Sequence, residues 1–264
     1  MLKLSTTLLL SALTAASLFA QSDAKATKIL KNVEAALGGW DKMYDMKDVE
    51  YSYDYRYVGN GQADVRTERY IFEGEHSYAR YTQHDINVGP KGTDDVVVQS
   101  YVNGKPAVKV GGKMNTSPEM VGGAAFLRPT NYYWFTMFYK LDDPGSIAKY
   151  QGTETVDGIA YDKVHVSYDA AVTGKEMNDE FVLYVNPKND RVEQFYFSLP
   201  AMGVTSPVIK MKLNYETIQG VPVVTRRDIY QPNEQGEYPD KPQLVQTLTN
   251  VKFGNGFTAA DLRA

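Results

Sequence analysis

Two spacings of apolar residues divide the chain. From Ser22 to Gly39, Ile29, Leu30, Val33 and Leu37 recur at steps of three and four while Lys28, Lys31 and Glu34 fall between them. That spacing predicts an amphipathic helix with one buried face. Ser22 or Asp23 can cap its N-terminus by accepting from an orphaned backbone N–H. Gly38-Gly39 can end it, because glycine enters the left-handed region without a Cβ clash. Trp40, Met43 and Tyr44 suggest one more short turn. The period then changes to two. Tyr51, Tyr53, Tyr55 and Tyr57 alternate with Ser52, Asp54 and Arg56, and Ile209, Met211, Leu213 and Tyr215 alternate with Lys210, Lys212 and Asn214. Such alternation predicts half-buried antiparallel strands. It places Tyr53, Tyr55, Met211 and Leu213 on one face of a sheet and Asp54, Lys210 and Lys212 on the other.

Further strand-like runs are Arg69–Phe72, Val96–Val102, Ala107–Val110 and Ala160–Tyr168, then Glu180–Val185, Val192–Ser198, Val221–Tyr230 and Leu244–Phe253. Asn103-Gly104 and Asp157-Gly158 suit tight hairpin turns, and Asn186–Asp190 and Asn233–Gly236 suit longer ones. Roughly ten strands make a sheet wide enough that it must curl or close. The fold class is α+β, mainly antiparallel β. One passage departs from it. Ser117-Pro118-Glu119 is a helix-start signal, and Thr130 precedes the densely aromatic Asn131–Leu141, which Asp142–Gly145 stops. A helix there is expected as a roof over the sheet, either mobile above a cavity or permanently docked. No repeat or composition break divides 21–264, which is read as one domain.

At the N-terminus Lys3 precedes an apolar stretch from Leu8 to Ala20. It is short of the roughly 20 apolar residues of a transmembrane helix and reads as a secretory signal peptide, 1–20. Cleavage after Ala20 leaves Gln21 first; cleavage after Ala24 is the alternative. With no Cys after the apolar stretch, the bacterial lipoprotein route is closed. The expectation is an exported protein of the periplasm or outside the cell, without a stable membrane span.

Composition removes functions. Of 264 residues, 28 are Lys or Arg and 32 Asp or Glu, a formal charge of -4. That balance lacks the basic surface nucleic acid requires. The absence of Cys excludes disulfides, thiolate metal sites and cysteine nucleophiles. His76, His84 and His165 form no metal-binding or catalytic motif, and the carboxylate pairs Asp94-Asp95, Asp142-Asp143 and Asp179-Glu180 read as turns and solvated edges. Gly111-Gly112 and Gly122-Gly123 lack the surroundings of a phosphate loop. Arg226-Arg227 lies in a strand pattern, so its two guanidiniums point to opposite faces. No catalytic residue, cofactor or metal is expected.

The 20 Tyr residues are the compositional outlier. Large aromatic bodies with polar tips suit a site that is apolar inside and wet at its rim. The candidate lining is the stripe Tyr51, Tyr53, Tyr55 and Tyr57, the cluster Trp134, Phe135, Met137 and Phe138, and Met211 with Leu213 on the second long strand. A filled core is the other reading of the same residues.

Several segments carry a family likeness. Val33–Gly39 is followed by Lys47–Tyr51, then come Tyr139–Gly145, Val156–Val164, Leu183–Lys188 and Tyr215–Val223. In that order, over nearly the whole mature chain, they make it resemble the LolA/LolB-like superfamily of exported carriers, in its branch of domains of unknown function. The resemblance implies a wide antiparallel sheet bent into an open half-barrel, with an N-terminal helix and a mid-chain helical lid. It also implies a cargo of lipid or lipoprotein acyl chains. None of that family's specific residues can be matched here. Two function classes stay open: a periplasmic lipid or lipoprotein carrier or chaperone, and a non-catalytic envelope interaction or scaffold module that binds a partner protein and no lipid.

Overall fold

The computed structural model of the protein describes residues 22–174 and 177–264; the expected signal peptide lies outside them. The first run of strands is β1 (Asp48–Tyr57), β2 (Ala63–Ile71), β3 (His76–His84), β4 (Val97–Val102), β5 (Lys105–Val110) and β6 (Lys113–Met114). The second comprises β7 (Ser146–Val156), β8 (Ile159–Tyr168), β9 (Phe181–Asn186) and β10 (Arg191–Leu199), then β11 (Val204–Ile218), β12 (Val221–Tyr230) and β13 (Leu244–Phe253). Each run is an up-and-down meander. Pairing of β1 with β13 joins them into one 13-stranded antiparallel sheet, in the order β6-β5-β4-β3-β2-β1-β13-β12-β11-β10-β9-β8-β7. The sheet is curved and open.

Register shows how the core is built. Leu183, Phe195, Met211, Ile229, Leu244 and Tyr57 are successive cross-strand partners from β9 to β1. They form one apolar row across the inner face. The bulges in these strands lie outside the row, and a one-residue slip at the row itself would turn a strand's member outward. Asn103-Gly104 and Asp157-Gly158 take positive φ at both positions, as the tight hairpins require.

Helix α1 (Ala24–Ala36) buries Ala26, Leu30 and Val33 against the sheet. Asp23 caps it, one carboxylate oxygen accepting from the Ala26 N–H at 2.6 Å. The other accepts from the Tyr150 N–H of edge strand β7 at 2.6 Å, while Asp23 N–H donates to the Ala148 carbonyl and Ser22 Oγ accepts from Ala148 N–H. Residues 22 and 23 thus occupy backbone groups that an open edge would offer to another chain. The short turn α2 (Trp40–Asp45) follows.

The mid-chain helix differs from its expected bounds. Instead of a separate helix over Asn131–Leu141, α3 runs unbroken from Pro118 to Thr136, and a 3₁₀ turn follows at Met137–Tyr139. Ser117 caps it as expected. Pro129 stands inside it without ending it, and next to it Thr130 Oγ1 donates to the Phe126 carbonyl at 2.7 Å. Tertiary burial holds together a helix that Gly122, Gly123 and Pro129 would weaken in isolation.

All ten expected strand runs fall on strands, and β3, β6 and β7 add to them. Leu213 is 7% exposed on the inner face, whereas the Lys212 side chain is 41% exposed on the outer one. Chemical denaturation should therefore show Leu213→Ala losing about 2–5 kcal/mol and Lys212→Ala staying within about 0.5 kcal/mol of wild type. Equal losses would contradict the register.

Candidate functional site

Because β6 and β7 lie at opposite edges of the sheet, α3 must cross the inner face to connect them. Its C-terminal turn enters between the two halves. Phe135 stacks on Tyr51, with ring centroids 5.4 Å apart, and also meets Tyr70, Phe72 and Phe253. Trp134 points the other way, onto Phe181, Phe195 and Phe197. Two arginines fix the helix to the sheet. Arg128, fully buried, makes a two-point ion pair with Glu68 of β2, Nη1 to Oε2 at 2.6 Å and Nη2 to Oε1 at 3.3 Å. Arg227 of β12 donates from Nη2 to the Trp134 carbonyl at 3.1 Å, taking up an acceptor that the end of a helix leaves free. Arg226, its neighbour, stays exposed on the outer face.

Beside this helix the sheet holds a cavity of about 360 Å³, within the roughly 300–1,000 Å³ of small-molecule sites. Tyr53, Tyr55 and Tyr57 form one wall, Met211, Ile229 and Leu244 another, and Leu127 and Trp134 of α3 the roof. At the mouth stand Phe126, 61% exposed, and Met202, 77% exposed. A larger hollow of about 500 Å³ is lined by Lys212 and Asp228. These alternate with Met211 and Ile229 and so face the other side of the sheet, away from the helix.

Of the ten residues singled out from the sequence, the structure brings Tyr53, Tyr55, Tyr57, Trp134 and Met211 to the cavity. Tyr51, Phe135, Met137, Phe138 and Leu213 pack in the core. The part of α3 over the cavity is Phe126–Trp134; Met137, Phe138 and Leu141 lie beneath, closing the core.

Sequence reasoning missed the polar side of the site. On β2 the residues facing inward are Asp64, Arg66, Glu68 and Tyr70, and the outward ones include Val65 and Thr67, the reverse of ordinary alternation. Arg66 donates from Nε to Glu68 Oε1 at 2.5 Å, so one carboxylate serves two guanidiniums. Tyr81 Oη accepts from Arg128 at 2.7 Å. Burial alone would raise the Glu68 pKa, but the two arginines overcome it and hold the carboxyl below its ordinary value. Burial raises the Tyr53 and Tyr81 hydroxyls, which stay neutral. A signal for this cluster exists: Arg128 is the only charged residue between Glu119 and Lys140. A lone charge in a long apolar passage calls for a buried partner. His84 and His165 are engaged with the Asp95 carbonyl and Glu180. Among the described residues no group of three or more His, Asp or Glu side chains could hold a metal ion, and no helix is long and apolar enough to cross a membrane.

Solved structures share this curved, helix-crossed open sheet. A DUF1329 family protein from Desulfovibrio piger ATCC 29098 superposes with a TM-score of 0.53 at 13% identity, over 90% of this chain and 97% of that one. A protein domain from Vibrio parahaemolyticus, described as outer membrane lipoprotein-sorting, does so with a TM-score of 0.52 at 11% identity, over 90% and 96%. At such identities the likeness is one of fold. Residues 124–217, from within α3 into β11, match a family of unknown function, DUF6503. No curated protein matches the chain in sequence.

Glu68→Gln leaves two buried guanidiniums without their carboxylate, and should cost about 3–5 kcal/mol at neutral pH. Because the folded-state pKa is depressed, Glu68 contributes fully above its ordinary value near 4.5 and loses that contribution as pH falls through the folded value. Denaturation across pH should therefore show the gap between wild type and variant narrowing below about 4.5. A gap that is absent, or that stays constant into acid, contradicts the paired-arginine arrangement.

Proposed function

We propose that this protein is a periplasmic binding protein that holds an acyl chain, alone or as part of a lipid or lipoprotein, in the inner-face cavity, acting as a carrier or chaperone. The observation that carries the reading is the apolar character of both the cavity and its mouth. A monomeric surface rarely keeps large side chains such as Phe126 and Met202 exposed together at the rim of an apolar hollow unless something apolar passes there. The fold supports it by analogy only, as does the expected signal peptide. On this reading α3 is a fixed wall rather than a swinging lid, because Arg128 and Arg227 tie it to both halves of the sheet. Cargo enters past Phe126 and Met202. The volume, at the low end of ligand sites, suits one chain.

Fluorescence tests this directly. Trp134 lines the cavity, while Trp40 packs on Tyr44 and Tyr139 outside it. In a Trp40→Phe background, titrating a lysolipid below its micelle concentration should shift Trp134 emission saturably, with circular dichroism unchanged. Tyr55→Asp should weaken that binding by roughly tenfold or more, about 1.4 kcal/mol. No saturable change in Trp134, with no lipid binding by equilibrium dialysis, overturns the proposal and favours a partner-protein module.

A further inference from the structure

The cavity wall carries one feature that a purely apolar cargo would leave unused. Arg66 is directly opposite Tyr53 on β1 and Tyr81 on β3. Its guanidinium lies 4.1 Å from the centroid of the Tyr53 ring and 5.2 Å from that of Tyr81. Two aromatic neighbours and the Nε bond to Glu68 fix its plane. The side chain is only 4% exposed, yet it borders the cavity. Among the described residues its two terminal nitrogens donate to no acceptor, and neither is sealed away from open space.

The surrounding charges sharpen this. Glu68 is already matched by the two-point pair with Arg128, so Arg66 shares a carboxylate that is spoken for. Asp64, the other charged group in the wall, has both oxygens occupied, by the Ile86 N–H, the Asn87 N–H and Asn87 Nδ2, each at 2.9 Å. A buried cation with unused donors costs folding free energy that a bound anion offsets. A fixed guanidinium fork matches the two oxygens of a carboxylate or phosphate.

We infer that the cavity selects single-chain amphiphiles with an oxyanion head, and that Arg66 receives that head while the chain lies along Tyr55, Tyr57, Ile229 and Leu244 toward the mouth. This rests on the acyl-binding reading above and adds polarity and direction to it. A carboxylate and a phosphate ester satisfy the same donors, so a free fatty acid and a lysophospholipid-like phosphate are the two sources.

Matched twelve-carbon ligands separate the cases on the mature chain, by displacement of an apolar fluorescent probe. Laurate and dodecyl phosphate should each bind roughly tenfold or more tighter than dodecanol, and the tighter of the two identifies the head. In Arg66→Met the advantage should vanish while dodecanol binding is retained; Glu68 keeps Arg128, so the helix stays fixed. Should that variant fail to fold, the comparison of heads on the wild-type protein decides alone. Equal binding of all three ligands overturns the oxyanion inference and leaves the acyl-binding reading standing. Displacement by none of them overturns both.

Discussion

The structure depends on a crossing. Two meanders meet at β1 and β13, which sends β6 and β7 to opposite edges of a 13-stranded sheet. The segment between them has to traverse the inner face, and a helix is the economical way to do so because it satisfies its own backbone hydrogen bonds. Curvature and helix are then one problem. The sheet wraps the helix, Phe135 and Trp134 fill the two sides, and the space left beside the helix is the cavity.

Apolar packing would let such a helix slide along a smooth aromatic trough. The charges remove that freedom. Arg128 can meet Glu68 in one rotational setting only, and Arg227 reaches one carbonyl at the helix end. Buried ion pairs contribute little net stability against an apolar alternative, but breaking one is costly, so this cluster sets position more than it adds stability. Because Glu68 serves Arg128 and Arg66 together, the helix anchor and the charged spot in the cavity wall are one network.

What could be read from the sequence followed how ordinary each strand is. β1 and β11 alternate cleanly, and their faces were legible to the residue. β2 was recognised only over its last residues because Asp64, Arg66 and Glu68 point inward, which inverts the pattern that marks a half-buried strand. β3 buries Ser77 and Ala79 beside Tyr81, residues too small or polar to give a signal. β7 is an edge strand, largely exposed, with an irregular register between Tyr150 and Thr153. Gly122, Gly123 and Pro129 read as breaks, yet burial of the face carrying Ala124, Arg128 and Tyr132 carries the helix through them. The tyrosine stripe stood out by its alternation; Arg66 did not, because a charge flanked by Val65 and Thr67 on a strand reads as solvent-facing.

The central claim is that the inner-face cavity holds one acyl chain. Mass spectrometry of the protein purified from its native envelope without detergent, under conditions that preserve bound lipid, tests it most directly. The account predicts a single-chain species in near one-to-one ratio with the protein, and its loss from Tyr55→Asp protein that remains folded. Wild-type protein that emerges free of lipid and takes up none on incubation with envelope lipid extract would contradict it.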